Sequence, residues 1–158
     1  MGIELVRDAV AWPSAFARTL AHDPEVLVEV YVPGRELTVG VLQGEALPMV
    51  EIVAPGTWYD YAAKYTKGAS EYQVPARVSD DIAARCSDWA VQAFEVLGCR
   101  GFGRVDFRLT PGGEAYVLEM NTIPGFTETS LLPKAAAAAG IDFPTLCARI
   151  METATVGV

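Results

Sequence analysis

The amino-acid sequence predicts an α+β fold in which an antiparallel sheet is flanked by helices. Val26 to Val32, Arg35 to Leu42 and Ala46 to Val53 are β-rich runs separated by Pro33-Gly34 and Gln43-Gly44-Glu45, which reads as a meander of three antiparallel strands. A second hairpin is formed by Phe102 to Phe107 and Tyr116 to Asn121, joined through Thr110-Pro111-Gly112-Gly113-Glu114. Between and after these runs lie segments whose apolar residues recur at helical spacing.

Taken in chain order, Trp12 to Ala21 is expected to be a short helix with Phe16 and Leu20 inward, stopped by His22-Asp23-Pro24. The meander follows, with Leu37, Val39 and Val41 on one face of its second strand and Glu36, Thr38 and Gly40 on the other. Pro55 to Ala76 reads as a long connection. Connections above about 12–15 residues are usually functional or disordered, and its tyrosines and Trp58 argue for function. Ser79 is placed to cap a helix with Asp80 and Asp81 in its first turn. Its apolar stripe is Ile82, Cys86, Ala90, Ala93 and Leu97, and Gly98 stops it. After the hairpin, a turn-rich loop from Thr122 to Ser130 opens onto a helix through Pro133 that ends at Gly140. A last helix spans about Asp142 to Glu152 with Phe143, Leu146, Ile150 and Met151 inward. No interdomain linker is visible, so residues 1–158 are expected to be one domain.

The hairpin carries the chemistry. Side chains alternate faces along a strand, so Arg104 and Asp106 share one side while Val105, Phe107 and Leu109 take the other. On the return strand Val117, Glu119 and Asn121 point one way and Tyr116, Leu118 and Met120 the other. A turn centred on Gly112-Gly113 sets Asp106 opposite Glu119 and Arg104 opposite Asn121; an odd-length turn would pull the pairs apart. Two facing carboxylates destabilise a sheet by roughly 0.2–1 kcal/mol and call for either a cation or a shared proton. Oxygen ligands from Asp, Glu and Asn suit magnesium, and Arg104 beside them suits an anion held by that metal. The plainer alternative is a solvated hairpin face.

Composition narrows the partners. A chain of 158 residues, 51% hydrophobic, is long enough to bury a core. Its net charge of −8, with 12 Lys and Arg against 20 Asp and Glu, lacks the basic stripe that a nucleic acid needs. Cys86, Cys99 and Cys147 are odd in number and set in apolar contexts, which fits free thiols in a reducing compartment. No apolar run reaches the roughly 18–20 residues of a membrane span, and no signal peptide is visible, so the expected location is the cytoplasm.

In order, the chain carries Val28-Glu29, Gly34-Arg35-Glu36-Leu37-Thr38-Val39-Gly40-Val41, Tyr59-Asp60-Tyr61-Ala62-Ala63-Lys64-Tyr65, Leu97 to Phe107, Glu119-Met120-Asn121-Thr122, Pro124-Gly125-Phe126-Thr127 and Ser130-Leu131-Leu132-Pro133. With these motifs it resembles the C-terminal half of the D-alanine D-alanine ligases, members of the ATP-grasp superfamily. The resemblance covers nearly the whole chain and implies a C-terminal ATP-grasp subdomain that binds ATP and magnesium.

What it implies is specific. Asp106, Glu119 and Asn121 correspond to ligands of two magnesium ions, for which manganese is an expected substitute, and Lys64 to a lysine reaching the phosphates of ATP. Glu29 and Glu36 correspond to contacts with the adenine amino group and the ribose hydroxyls, Val30 and Val32 to the adenine hinge, and Trp58 and Leu118 to adenine-pocket walls. Arg104 and the backbone N–H of Gly125 correspond to the stabilisers of the oxyanion, Tyr65 to a residue that hydrogen-bonds a loop serine not present here, and Ser130 with the Leu131 backbone to the carboxylate site of the second D-alanine. The implied reaction joins two D-alanines through an acyl phosphate for cell-wall precursors, with ATP and D-alanine as partners.

The resemblance begins about halfway through such a ligase. The N-terminal substrate domain and the first ATP-grasp subdomain have no counterpart in this sequence, so weak nucleotide binding and no appreciable ligase activity are expected of the chain alone. A homodimer or a complementing N-terminal half is the expected partner. Two alternatives share these residues: a D-alanine D-lactate type of carboxylate-amine ligase, and a noncatalytic nucleotide-binding relic.

Overall fold

The computed structural model describes residues 2–53 and 71–155. Two compact units are distinguished, Met1–Val32 and Pro33–Val158. In the first, helix α1 spans Trp12–Leu20 with a proline in its opening turn. Trp12, Phe16 and Leu20 fall at helical i, i+4 and i+8 positions on one face. Trp12 and Phe16 stack at 5.5 Å between ring centroids, but Ala15 is the helix residue that is buried. Phe16 and Leu20 are not inward as expected: they remain 36% and 41% exposed, because a unit this short has too little chain to cover both sides of a helix. A bidentate pair between Arg18 and Glu4, at 2.7 and 3.1 Å, ties the helix to the preceding segment.

Residues 26–32 form no strand, which corrects the expected first arm of the meander. The reason lies in the second unit. There β1 (Arg35–Leu42) pairs antiparallel with β3 (Val50–Val53) on one side and β5 (Phe102–Leu109) on the other, so a further neighbour has no ladder on β1 to join. A two-residue strand, β2 (Glu45–Ala46), folds back on the end of β1. The end of the long connection, expected to be loop, is a short strand β4 (Glu71–Gln73) that pairs with β3. With β6 (Ala115–Asn121) the order across the sheet is β4-β3-β1-β5-β6.

Both faces of the centre are buried. Leu37, Val39, Val41, Val105, Phe107 and Leu109 pack against Cys86, Ala90 and Phe94 of α2 (Asp80–Val96). On the other face Leu42 and Val50 meet Leu132, Ala135 and Ala136 of α3 (Leu131–Ala138) and Leu146 of α4 (Phe143–Glu152). Gly40 makes that second contact feasible: a Cβ there would stand 2.6 Å from Leu132 Cδ1. The expected stripe of α2 is corrected at its end, where Phe94 is buried and Leu97 is 63% exposed, because α2 stops at Val96 and Gly98 turns with φ +64. Ser79 sits at the N-cap position without a side-chain cap bond. In α4 Leu146 is buried as expected, but Met151 is 75% exposed because it lies in the last turn, past the contact with the sheet.

The turn between β1 and β2 places Gln43 at φ +54, a conformation that side chains other than glycine seldom adopt. Gln43 is held from three directions. Its backbone N–H donates to the Gly101 carbonyl at 2.7 Å, its Nε2 donates to the Arg149 carbonyl, and its Oε1 accepts from Arg149 Nη2 at 2.7 Å. Arg35 and Glu51 form a bidentate pair at 2.7 and 2.6 Å, and Arg35 also donates to the Arg77 carbonyl. This pairing holds the Arg35 guanidinium above its ordinary pKa.

Two outcomes follow from the packing. Phe107 is 1% exposed at the centre of the α2-facing core, so Phe107→Ala should lower the unfolding free energy by about 3–5 kcal/mol in urea titrations. Asp142 caps α4 by accepting from the Thr145 N–H at 2.8 Å, and hydrogen bonding from the Thr145 side chain and then its backbone holds the carboxyl below its ordinary pKa. A depressed carboxyl stabilises above its unfolded value and loses that contribution as pH falls through the folded one. Asp142→Ala should therefore lower the melting temperature at neutral pH, with the difference from the unsubstituted chain closing in the acid range.

Candidate functional site

β5 is the strand that assembles the site. Its even-numbered residues Arg104, Asp106 and Arg108 lie opposite Gly40, Thr38 and Glu36 of β1, and the same three lie opposite Asn121, Glu119 and Tyr116 of β6. Directly paired residues share a face, so these side chains form a polar band on the side of the sheet where Leu42 and Gly40 meet α3.

The expected facings of Asp106 with Glu119 and of Arg104 with Asn121 are both present, by a route the sequence reading does not contain. The turn is odd in length: Leu109 pairs with Ala115, leaving residues 110–114 as the loop. Thr110 N–H donates to the Glu114 carbonyl, and Gly113 N–H to the Thr110 carbonyl. That loop alone would shift the pairs by one. A β-bulge restores them, because Phe107 pairs with Val117 and Asp106 with Glu119, leaving Leu118 as the extra residue. The expected alternation on β6 is corrected accordingly: Val117 lies opposite Phe107 on the α2 side, and Tyr116 lies opposite Arg108 on the polar side.

Arg104 and Asp106 are joined by two hydrogen bonds, Nε to Oδ1 and Nη2 to Oδ2, both 2.8 Å, with side chains 12% and 18% exposed. The cation beside the facing carboxylates is thus the guanidinium two residues along the same strand. Thr38 Oγ1 donates to the Val105 carbonyl and fixes the neighbouring backbone. Asn121 Oδ1 accepts from the Ile123 N–H at 3.3 Å, opening the loop that follows. Asp106, Glu119 and Asn121 offer oxygen atoms only. No group of three His, Cys, Asp or Glu side chains able to hold a metal occurs among the described residues. Two carboxylates and an amide fit magnesium, which characteristically takes one or two protein carboxylates and completes its shell with substrate phosphates and water.

The loop after β6 is moored by aromatic contacts. Phe126 lies 5.7 Å from Phe102 of β5 and 5.4 Å from Phe143 of α4, measured between ring centroids. Pro124 is fully buried. Gly125 and Ser130 are brought together, since a Cβ on Gly125 would stand 3.4 Å from Ser130 Oγ. Ser130 occupies the N-cap position of α3 but makes no side-chain cap bond. Instead its Oγ accepts from the Thr127 N–H at 3.0 Å and shares a 2.9 Å hydrogen bond with Thr127 Oγ1. Leu131 opens α3.

The other expected residues belong to several parts of the chain. Glu29, Val30 and Val32 belong to the N-terminal unit, where Glu29 is exposed and Val30 is 89% exposed. Trp58, Lys64 and Tyr65 lie outside the described residues. Leu118 is 48% exposed at the bulge. Glu36 is on the band, 3.2 Å from Arg108 Nη1. Arg108 is the residue that sequence reasoning passed over; its signal was the alternation that puts it on one face with Arg104 and Asp106.

A family model described as the C-terminus of D-Ala D-Ala ligase matches residues 1–152. The chain belongs to this family. It is 49% identical over 152 residues to a D-alanine–D-alanine ligase of Methylacidiphilum infernorum, covering 96% of this chain and 50% of that protein. It is 46% identical over 156 residues to the corresponding ligase of Syntrophotalea carbinolica, covering 99% and 51%. Among solved structures, a D-alanine–D-alanine ligase from Bacillus anthracis complexed with ATP superposes with a TM-score of 0.82 at 33% identity, covering 97% of this chain and 50% of that one. The VanG D-Ala:D-Ser ligase from Enterococcus faecalis gives 0.80 at 33% identity, over 96% and 45%. The chain thus spans about half the length of the curated relatives it matches. The antiparallel sheet with its flanking helices is the C-terminal ATP-grasp region of these ligases. No helix among the described residues is long and apolar enough to cross a membrane.

If the aromatic contacts moor the Gly125 loop, Phe126→Ala should speed amide hydrogen exchange at residues 125–127 while leaving the β1 amides unchanged. Equal acceleration in β1 would mean that Phe126 supports the whole sheet rather than the loop.

Proposed function

We propose that this chain supplies the magnesium–ATP and second-substrate half of an ATP-dependent ligation of two D-alanines, serving peptidoglycan precursor synthesis in the cytoplasm. The observation that carries the reading is the register that sets Asp106 against Glu119 and Arg104 against Asn121, in a chain of this family.

In this reading Asp106, Glu119 and Asn121 would hold magnesium, as two ions, which would supply neutralisation of phosphate charge. The adenine end belongs to Glu29, Val30, Val32, Trp58 and Leu118, the ribose to Glu36, and the phosphates to Lys64. The carboxylate of one D-alanine attacks the terminal phosphorus of ATP, ADP leaves, and an acyl phosphate forms. The amine of the second D-alanine attacks the acyl carbon, the amine loses a proton, and phosphate departs as the dipeptide bond forms. Arg104 and the Gly125 N–H stabilise the oxyanion of that second step. Such fixed donors are often the largest catalytic contribution. Ser130 and the Leu131 N–H receive the carboxylate of the second D-alanine at the start of α3, where free N–H groups favour an anion. Tyr65 assists closure over the site.

The two carboxylates and one amide leave most of the cation's coordination to phosphates and water, which supports a nucleotide-dependent metal site. Residues 1–158 furnish one side of the nucleotide crevice as a single ATP-grasp region. The first D-alanine site is assigned to the part of the relatives' length that this chain does not span, so the chain by itself is expected to bind nucleotide weakly and to turn over little. The partner is a complementing N-terminal half or a second copy. The D-Ala:D-Ser ligase among the structural neighbours makes the second substrate the finer question; relatives 40–49% identical that are called D-alanine–D-alanine ligases favour D-alanine.

Calorimetric titration with ATP, with and without magnesium, tests the site. Metal-dependent binding should be present in the chain and weakened at least about tenfold in the Asp106→Asn, Glu119→Gln double variant, a loss typical of removing charged partners. Binding that is indifferent to magnesium, or retained by the variant, would remove the carboxylates from the site.

A further inference from the structure

Arg108 is a guanidinium with little access to water. Its side chain is 7% exposed, and Nη1 both donates to the Gly34 carbonyl at 2.9 Å and lies 3.2 Å from Glu36 Oε1. Glu36 is its direct partner across the β1–β5 ladder and is itself 21% exposed. Burying an arginine this far is unfavourable unless charge and hydrogen bonding compensate it, and here both come from the first residues around β1. Gly34 has φ +149, and a Cβ there would stand 2.0 Å from the Leu109 carbonyl oxygen, so only glycine fits at the position whose carbonyl accepts from Arg108.

The consequence falls on Glu36. A glutamate has three side-chain torsions, and at a half-covered strand position nothing in its own backbone decides where the carboxylate lies. The anchored guanidinium, 3.2 Å from Oε1, holds it from one side. A carboxylate held in place before a ligand arrives recognises paired hydroxyls better than one that must be ordered on binding. We propose that Arg108 is a positioning residue that fixes the Glu36 carboxylate for recognition of the nucleotide's ribose hydroxyls, making the ion pair a determinant of ribose over deoxyribose selectivity. The proposal rests on the placement of Glu36 at the ribose given above.

The test is a titration of the chain, in magnesium, with ATP and with 2′,3′-dideoxyadenosine triphosphate. It compares the unsubstituted protein, Glu36→Gln, Arg108→Met and the double variant. ATP should bind the unsubstituted chain roughly tenfold more tightly than the dideoxy analogue, the effect of hydrogen bonds to a charged group. That ratio should narrow in Glu36→Gln and equally in Arg108→Met, with no further change in the double variant, because one residue acts through the other. A ratio unchanged in Arg108→Met while Glu36→Gln narrows it, or two effects that simply add, would overturn the positioning role. Should Glu36→Gln leave the ratio intact, or the unsubstituted chain show neither binding nor preference, the ribose placement itself fails and this inference with it. Arg108→Lys keeps the charge without the planar fork and replaces Arg108→Met if circular dichroism shows the latter unfolded. An intermediate ratio is then expected, and an unchanged one counts against the proposal.

Discussion

The two ladders of β5 are the constraint on which the rest of the structure depends. Along its full length β5 pairs with β1, and its other edge carries β6. Because side chains alternate, one strand delivers Val105, Phe107 and Leu109 into the core beneath α2 and Arg104, Asp106 and Arg108 onto the opposite face. A slip of one residue would exchange these sets, driving two arginines and an aspartate under α2. The apolar core therefore sets the register, and the register places the charges.

On the β6 side that register is a compensation. An odd loop of residues 110–114 and the bulge at Leu118 each displace the pairing by one, and together they return Asp106 to Glu119 and Arg104 to Asn121. Neither could change alone without moving the carboxylates apart. The bulge lies on an edge strand, where an unpaired residue disturbs only one ladder. It also divides β6 into two stretches. Ala115 and Val117 lie opposite Leu109 and Phe107 before it, while Glu119 and Asn121 lie opposite Asp106 and Arg104 after it.

Two close ion pairs carry charge on the polar face. Arg104 grips Asp106, and Arg108 lies against Glu36, each with side chains less than about a quarter exposed. No buried side-chain nitrogen or oxygen among the described residues lacks a hydrogen-bond partner, so the face is electrostatically self-consistent before any ligand binds. Beyond it, the Phe102–Phe126–Phe143 contacts link β5, the loop and α4. The loop holding Gly125 is thereby joined to the same strand that carries Arg104, which is how a flexible-looking glycine segment becomes part of a defined site.

Much of this was legible in the sequence. Alternation in 102–109 put Arg104 and Asp106 on one face, helical spacing marked α2 and α4, and the ordered motifs pointed to the ligase family; the facing of Asp106 with Glu119 agrees with the expected one only because the odd loop and the bulge at Leu118 cancel. The first three are local signals, read over a few residues, where backbone geometry alone dictates which side chains share a face. The strand expected at 26–32 was not, because strand formation depends on an available partner, and both sides of β1 are taken. The inward placement of Phe16, Leu20, Leu97 and Met151 failed for a related reason: periodicity defines a stripe, but only packing decides how much of it is covered. Arg108 and Glu36 lie far apart in the chain and meet through a long-range ladder, and Gln43 and Arg149 meet through hydrogen bonds between a turn and α4. Sequence by itself determined the local periodicities and the chemical types of the site residues; tertiary structure decided the partners, because pairing across a sheet is a property of two distant segments and of neither alone.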